Sequence, residues 1–397
     1  MIQSICILGR QPALGLAELE SLYGAGYVSL LSEHVAALDI SPDDVAFARL
    51  GGSTRLARVL ATVPSNLWKD VEKQLAKSLV ELAGTLPEGK LQLGISVYNI
   101  PVTPQKLTAT GLTLKKIVRS KAGRSLRLSP NNELELNTAQ VLHNHLTGSL
   151  GVEFLICATP DGKTVIARTI AVQDIDSYTL RDRGRPRRDA RVGMLPPKLA
   201  QIIINLAVGT TPPSVDTVVL DPFCGTGVLL QEAIFMGYGT TGTDLEPRMI
   251  TYSRANLEWF TSTFEITNSI IDLTAGDATE FSWQNHTSCV ATETYLGRPF
   301  TEAPSHDVLE QTASDVNSIL KKFLRNIHGQ IAADTRLCLA VPAWQVQPNV
   351  FRHLPLLDSL EEIGYNRVSF EHVRDNDLLY YREDQIVARE LLVLRRK

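Results

Sequence analysis

The sequence predicts an α/β chain, with a doubly wound, seven-stranded Rossmann-like sheet in its second half and a smaller α+β half before it. Three observations carry this. From residue 209 onward, apolar strands alternate regularly with helices. Among them, Asp221-Pro222-Phe223-Cys224-Gly225-Thr226-Gly227 forms a glycine loop between an apolar strand and an apolar helix. Over the first 170 or so residues, strands and helices alternate on a shorter scale, as in small α+β units. At 397 residues the chain is also too long for one ordinary core.

In order, a short strand from Ile5 to Leu8 leads through Gly9–Pro12 into a helix carrying Leu14, Glu18 and Leu22. Strands follow at 27–31 and 36–40, and Gly51-Gly52 is expected to open a helix from Thr54 to Ala61. Residues 66–87 place Val71, Leu75, Leu79 and Leu82 on one stripe of an amphipathic helix. A strand from Leu91 to Tyr98 precedes a helix, Gly111 to Ser120, whose Lys115, Lys116 and Arg119 lie outside its apolar positions. Strands near 125–128 and 153–158 follow. The Pro160-Asp161-Gly162 turn then leads to a strand over 164–171.

Residues 173–197 are different in kind. Arg181, Arg183, Arg185, Arg187, Arg188 and Arg191 crowd into one stretch before a helix at 198–207. Guanidinium forks suit phosphate and carboxylate oxygens, so the segment reads either as a solvated linker or as an RNA-contacting or interdomain-pairing element. In the second half, strands are expected at 217–222, 240–245, 269–274, 288–293, 335–341, 366–373 and 390–395, the last two joined without a helix as an antiparallel edge. The expected divisions are 1–62, 63–172, the arginine-rich 173–197, and 198–397.

Hydrophobic content of 44% and charged content of 21% describe an ordinary globular protein. A net charge of −4 gives no global signature of nucleic-acid binding, so any such surface must be local. Lys115, Lys116, Arg119 and Arg124 supply one candidate patch. The five cysteines show no close spacing and read as reduced thiols, and no metal site is readable; His143 and His145 form the one close histidine pair. With no signal-peptide pattern and no apolar run of about 18 residues, a cytoplasmic protein is expected.

In a doubly wound sheet, ligands bind at the carboxyl ends of the central strands. Asp221, Asp244 and Asp277 fall there, in chain order. No Lys-Ser/Thr follows the loop, which argues against a phosphate-cradling P-loop, and Asp221 would repel a pyrophosphate while suiting an ammonium group. The combination points to S-adenosylmethionine. Asp221 would hold its ammonium, Phe223 and Gly225–Gly227 would let backbone approach it, Asp244 would take the ribose hydroxyls, and Asp277 the adenine amine. Cys224 reads as a small packing residue. At the end of the fourth strand, Thr292-Glu293-Thr294-Tyr295 stands where exocyclic-amine methyltransferases carry Asp/Asn-Pro-Pro-Tyr. There an acid or amide and a proline carbonyl accept the amine protons while the ring stacks on the base. Tyr295 keeps the ring, both prolines are absent, and the carboxylate is either lost at Thr292 or supplied by Glu293 one residue on.

Four segments carry a resemblance over essentially the whole chain: Leu8–Leu19, Gly51–Ala57, Arg185-Pro186 with Leu195–Ala200, and the loop Asp221–Gly227. Together they resemble the THUMP-domain RNA methyltransferases, and within them the tRNA guanosine-10 N2-methyltransferase group. The resemblance implies a ferredoxin-like unit and a THUMP domain that grip tRNA, followed by a Rossmann-like class I methyltransferase domain. It implies methylation of a guanine N2 amine. On the residues themselves, Glu293, Tyr295 and Thr292 are expected at the chemistry, and Arg183, Arg185 and Arg187 are candidate RNA contacts. A catalytically impaired RNA-binding protein, or an amine methyltransferase acting on rRNA or DNA, are the alternative readings; an accessory subunit and the oligomeric state stay open.

Overall fold

The computed structural model describes residues 1–189, 195–267, 269, 271–284, 286–298, 300, 302, 304–382 and 385–397. Two compact units divide the chain, and they interleave along the sequence. One comprises Met1–Pro12, Ala25–Ala48 and Ser53–Asp174; the other comprises Ala13–Gly24, Arg49–Gly52 and Ile175–Lys397.

The first unit is built on an eight-stranded sheet. Its strands are β1 (Ser4–Leu8), β2 (Val28–Ser32), β3 (Val35–Leu38), β4 (Ser53–Val63), β5 (Leu91–Tyr98), β6 (Leu126–Leu128), β7 (Gly151–Ala158) and β8 (Thr164–Val172). They lie in the order β2-β3-β1-β4-β8-β7-β5-β6, so residues 1–62 and 63–172 contribute to one sheet. The helix expected over Thr54–Ala61 is strand β4, paired antiparallel with both β1 and β8. Leu, Ala and Arg favour helix only weakly in isolation, and two flanking strands override that preference. Arg55 of β4 is tied to the buried Glu153 at 2.7 Å, and Ser96 and Thr169 donate to the same carboxylate. The amphipathic stripe falls on α2 (Trp68–Thr85), packing with Leu114 and Val118 of α3 (Pro104–Ala122) against β5. A short helix, α4 (Thr138–His143), closed by an Asn137/Gln140 capping box, was not legible as a periodic segment; His143 ends it.

The second unit takes α1 (Pro12–Tyr23) from residue 13 on and then runs α5 (Ile175–Arg183), α6 (Pro197–Val208), β9 (Val218–Asp221), α7 (Val228–Phe235), β10 (Gly239–Asp244), α8 (Pro247–Thr263), β11 (Ile271–Ala275) and β12 (Cys289–Glu293). It continues with α9 (His306–His328), β13 (Arg336–Gln347), β14 (Val350–Arg352), α10 (Leu360–Ile363), β15 (Tyr365–Arg367), β16 (Leu379–Tyr380) and β17 (Val387–Arg396). The sheet order is β11-β10-β9-β12-β13-β17-β15, with β14 on β13 and β16 on β17. β9 to β13 pair in parallel and β17 runs antiparallel to β13, giving the expected doubly wound sheet with an antiparallel edge. The strand expected over 366–373 is only Tyr365–Arg367, although Val368 N still donates to the Val393 carbonyl at 2.8 Å; the Arg367 side chain pairs with Asp375. Chain order reverses between β9 and β12, so the switch-point crevice opens where Asp221 and Glu293 end their strands. Behind it, Leu220, Val290, Phe323 and Trp344 belong to one buried cluster that fixes these strand ends. Among the described residues, no helix is long and apolar enough to cross a membrane.

Candidate active site

The glycine loop leaves β9 at Asp221 and enters α7 at Gly227. Gly225 and Gly227 take φ of 51° and 82°, the left-handed region that favours glycine. A Cβ at Gly225 would meet nothing within 4 Å, whereas one at Gly227 would lie 2.9 Å from Ser253 Oγ. The first glycine therefore leaves an open face for a ligand, and the second lets α8 pack closely. Ser253 also donates to the Gly225 carbonyl at 2.8 Å.

Asp221 is almost completely buried. Its Oδ1 accepts from the Thr292 hydroxyl at 2.6 Å and from Phe223 N at 3.2 Å. Burial pushes its carboxyl up to about 7, a rise that these two donors only partly offset. Asp244 is half-buried and raised for the same reason; Gly225 N donates to its Oδ2 at 2.8 Å and Glu246 N to its Oδ1 at 3.0 Å. Asp277 accepts from Thr279 N and Oγ1 at 2.9 and 2.8 Å, which fixes its rotamer at the end of β11.

These groups converge on a cavity of about 730 Å³. Asp221, Phe223, Gly225, Asp244, Asp277, Glu293 and Tyr295 all line it, as do Arg248, Arg298 and Lys322. Two expected members do not. Gly227 is the cap of α7, and Thr292 is fully buried with its hydroxyl committed to Asp221, so it is no substrate contact. Glu293 closes β12 one residue later and so faces the opposite way. Its Oε1 accepts from Nε of Arg389 on β17, both side chains being largely buried. Tyr295, at the cavity wall, is 47% exposed. The buried Cys224 thiol is raised well above its ordinary range by burial, in keeping with a packing role.

The residues present fit S-adenosylmethionine: a buried carboxylate for an ammonium group, an open glycine face, and two further carboxylates at successive strand ends. Sequence reasoning missed Ser253 and Asn256, which hold the loop from one face of α8; polar residues three apart on an otherwise buried helix face were the available signal.

The expected RNA contacts separate into two groups. Lys115, Lys116 and Arg119 are exposed on α3, and Arg183 and Arg187 are exposed at and beyond the end of α5. Arg124 and Arg185 are corrections. The Arg124 guanidinium donates to the carbonyls of Ala83, Leu86, Pro87 and Gly89, capping the end of α2. Arg185 is buried, reaching Asp182 and Thr226, and has no face left for a phosphate. Nor is the stretch a linker over its described part. Arg181 is buried in α5, pairs with Glu232 at 2.9 Å and lies over the rings of Tyr178 and Phe235. Arg191 lies outside the described residues.

Fold and site together define a Rossmann-like methyltransferase fold preceded by an α+β half. TrmN from Thermus thermophilus has the same fold, covering 100% of both chains at a TM-score of 0.50 and 15% identity. In sequence, the chain is 30% identical over 152 residues to a tRNA (guanine(10)-N2)-dimethyltransferase of Methanothermobacter thermautotrophicus, covering 38% of this chain and 39% of that one. It is 25% identical over 200 residues to the enzyme of the same name from Pyrococcus abyssi, covering 49% and 51%. The chain thus aligns with about half the length, or less, of these curated relatives. No family model matches it.

Proposed function

We propose that the chain is an S-adenosylmethionine-dependent methyltransferase acting on the exocyclic N2 amine of a guanosine in tRNA. One observation carries the reading: Asp221, Gly225, Asp244 and Asp277 line a single cavity together with Glu293 and Tyr295. Bound there, the cofactor supplies an electrophilic methyl carbon. The chain's own residues orient the acceptor. Arg389 takes Glu293 Oε1, which leaves Oε2 to accept one amine N–H and to aim the nitrogen lone pair. The half-exposed Tyr295 ring offers a stacking face to a base drawn out of its stack. Thr292 acts from behind, holding the rotamer of Asp221.

The names of the sequence relatives support tRNA and the guanine amine as acceptor. Lys115, Lys116 and Arg119 on α3, together with Arg183 and Arg187, are the cations proposed to meet RNA phosphates. In this reading residues 1–62 and 63–172 serve as the ferredoxin-like and THUMP-like parts, and the protein works in the cytoplasm. Transfer of labelled methyl groups to bulk tRNA, followed by nucleoside mass spectrometry, is expected to give N2-methylated guanosine. The threonine at the usual acid position favours a second reading, an RNA-binding protein that has lost the transfer step. Cofactor binding without transfer to any RNA would establish that reading instead.

A further inference from the structure

Thr226, set between the two left-handed glycines, is gripped at both of its oxygens. Its hydroxyl accepts from Arg185 Nη1 at 3.3 Å, and its carbonyl accepts from Asn256 Nδ2 at 2.8 Å. Asn256 is fully buried on α8 and bonds the arginine segment with the same amide. Arg187 N donates to its Oδ1 at 2.9 Å, and its Nδ2 donates to the Arg187 carbonyl at 2.9 Å. Further along, Asp189 pairs with Arg248 in the first turn of α8 at 3.1 Å. Residues 182–189 are therefore laced to the helix that holds the cofactor loop. Arg185 crosses directly to the loop with its side chain 0% exposed. A buried guanidinium is costly unless its donors are used. Besides Thr226, it meets Asp182, through the carbonyl at 3.3 Å and the carboxylate at 3.7 Å. In the same segment, Arg183, Arg187 and Arg188 are exposed.

We propose that Arg185 is a positioning residue for the cofactor loop, and that residues 182–189 act as a strap joining an exposed cationic surface to the glycine turn. This rests on the cofactor reading above. What orders the strap then orders Thr226 and, with it, the backbone of Gly225. A polyanionic backbone bound on the exposed arginines would tighten cofactor binding, and the cofactor would by reciprocity tighten the polyanion.

The test is calorimetric titration of the full chain with S-adenosylhomocysteine, alongside thermal melting and the KM for S-adenosylmethionine. Arg185→Ala is expected to weaken affinity about tenfold, as loss of a charged hydrogen bond does. Arg185→Lys should recover part of that loss, and KM should rise more than kcat falls. Unchanged affinity in Arg185→Ala would overturn the proposal, whether or not tRNA binding falls. If that variant melts far below the parent, Thr226→Val, which removes only the accepting hydroxyl, decides the matter: weakened affinity supports the strap and parental affinity sinks it. Failure of the unaltered chain to bind S-adenosylhomocysteine would instead overturn the cofactor reading itself.

Discussion

Asp221 combines deep burial with an acceptor role, and that combination has a pH signature. In the folded chain burial holds its proton to about 7, against an ordinary 3.8. Between those values the unfolded chain sheds the proton and the folded chain keeps it, so stability from this group falls as pH rises through that window and levels off above it. The ligand-free protein is thus expected to lose melting temperature from about pH 4 to about pH 7, with a shallower slope in Asp221→Asn. Affinity for S-adenosylhomocysteine should move the opposite way, rising towards pH 7 because its ammonium prefers the ionised carboxylate; a titration series in both proteins checks the sign. At Glu293 the informative change is Glu293→Gln, which keeps an acceptor for Arg389. It should lower the single-turnover methylation rate roughly a hundredfold. Glu293→Ala would also leave Arg389 unpaired, at a stability cost of about 1–3 kcal/mol in a melt. In the sequence, the Thr292–Tyr295 motif left two readings, a carboxylate lost at Thr292 or one supplied by Glu293. Which residue faces the cavity was not legible there, because a one-residue step along a strand reverses the side chain's direction, and the partner Arg389 comes from a strand nearly a hundred residues on.

At the level of elements, the glycine turn separates stability from binding. Gly227→Ala forces a side chain into the left-handed region and against Ser253, so it should cost about 1–2 kcal/mol and release the Gly225 carbonyl. Gly225→Ala carries a similar backbone penalty, but its Cβ projects into open space. It should melt closer to the parent while losing cofactor affinity, and paired melting and titration of the two variants tests the contrast. The loop and its flanking strand and helix were plain in the sequence because apolar runs and glycines sit side by side. β4 was not, since Thr54–Ala61 carries residues that suit either state and only its pairing with β1 and β8 decides. The helix α5 was hidden for a related reason: its arginines read as solvated charge until Glu232 and the rings of Tyr178 and Phe235 are seen around Arg181.

At the scale of the whole molecule, the second unit depends on residues from the beginning of the chain. The buried Glu18 carboxylate accepts from Gly51 N and Gly52 N at 2.9 Å each and from Asn205 Nδ2 at 2.7 Å. Glu20 accepts from the backbone of Glu371 and His372, and Arg49 donates to Asn205 and Tyr238. A fragment of residues 175–397 would strip these partners from buried polar groups. It is expected to aggregate or to melt about 10 °C or more below the full chain; equal melting would show the early segments to be dispensable. The Rossmann-like half, the glycine loop and the order of its three acids were written in the sequence, because each is local in periodicity, residue type and order. Only the tertiary structure decided that Glu293 faces the cavity beside Arg389, that Thr292 serves Asp221, that Arg185 turns inward to Thr226, and that α1 belongs with the second unit. Those outcomes depend on which distant groups share a buried space, and burial is a property of the packed chain rather than of any segment in it.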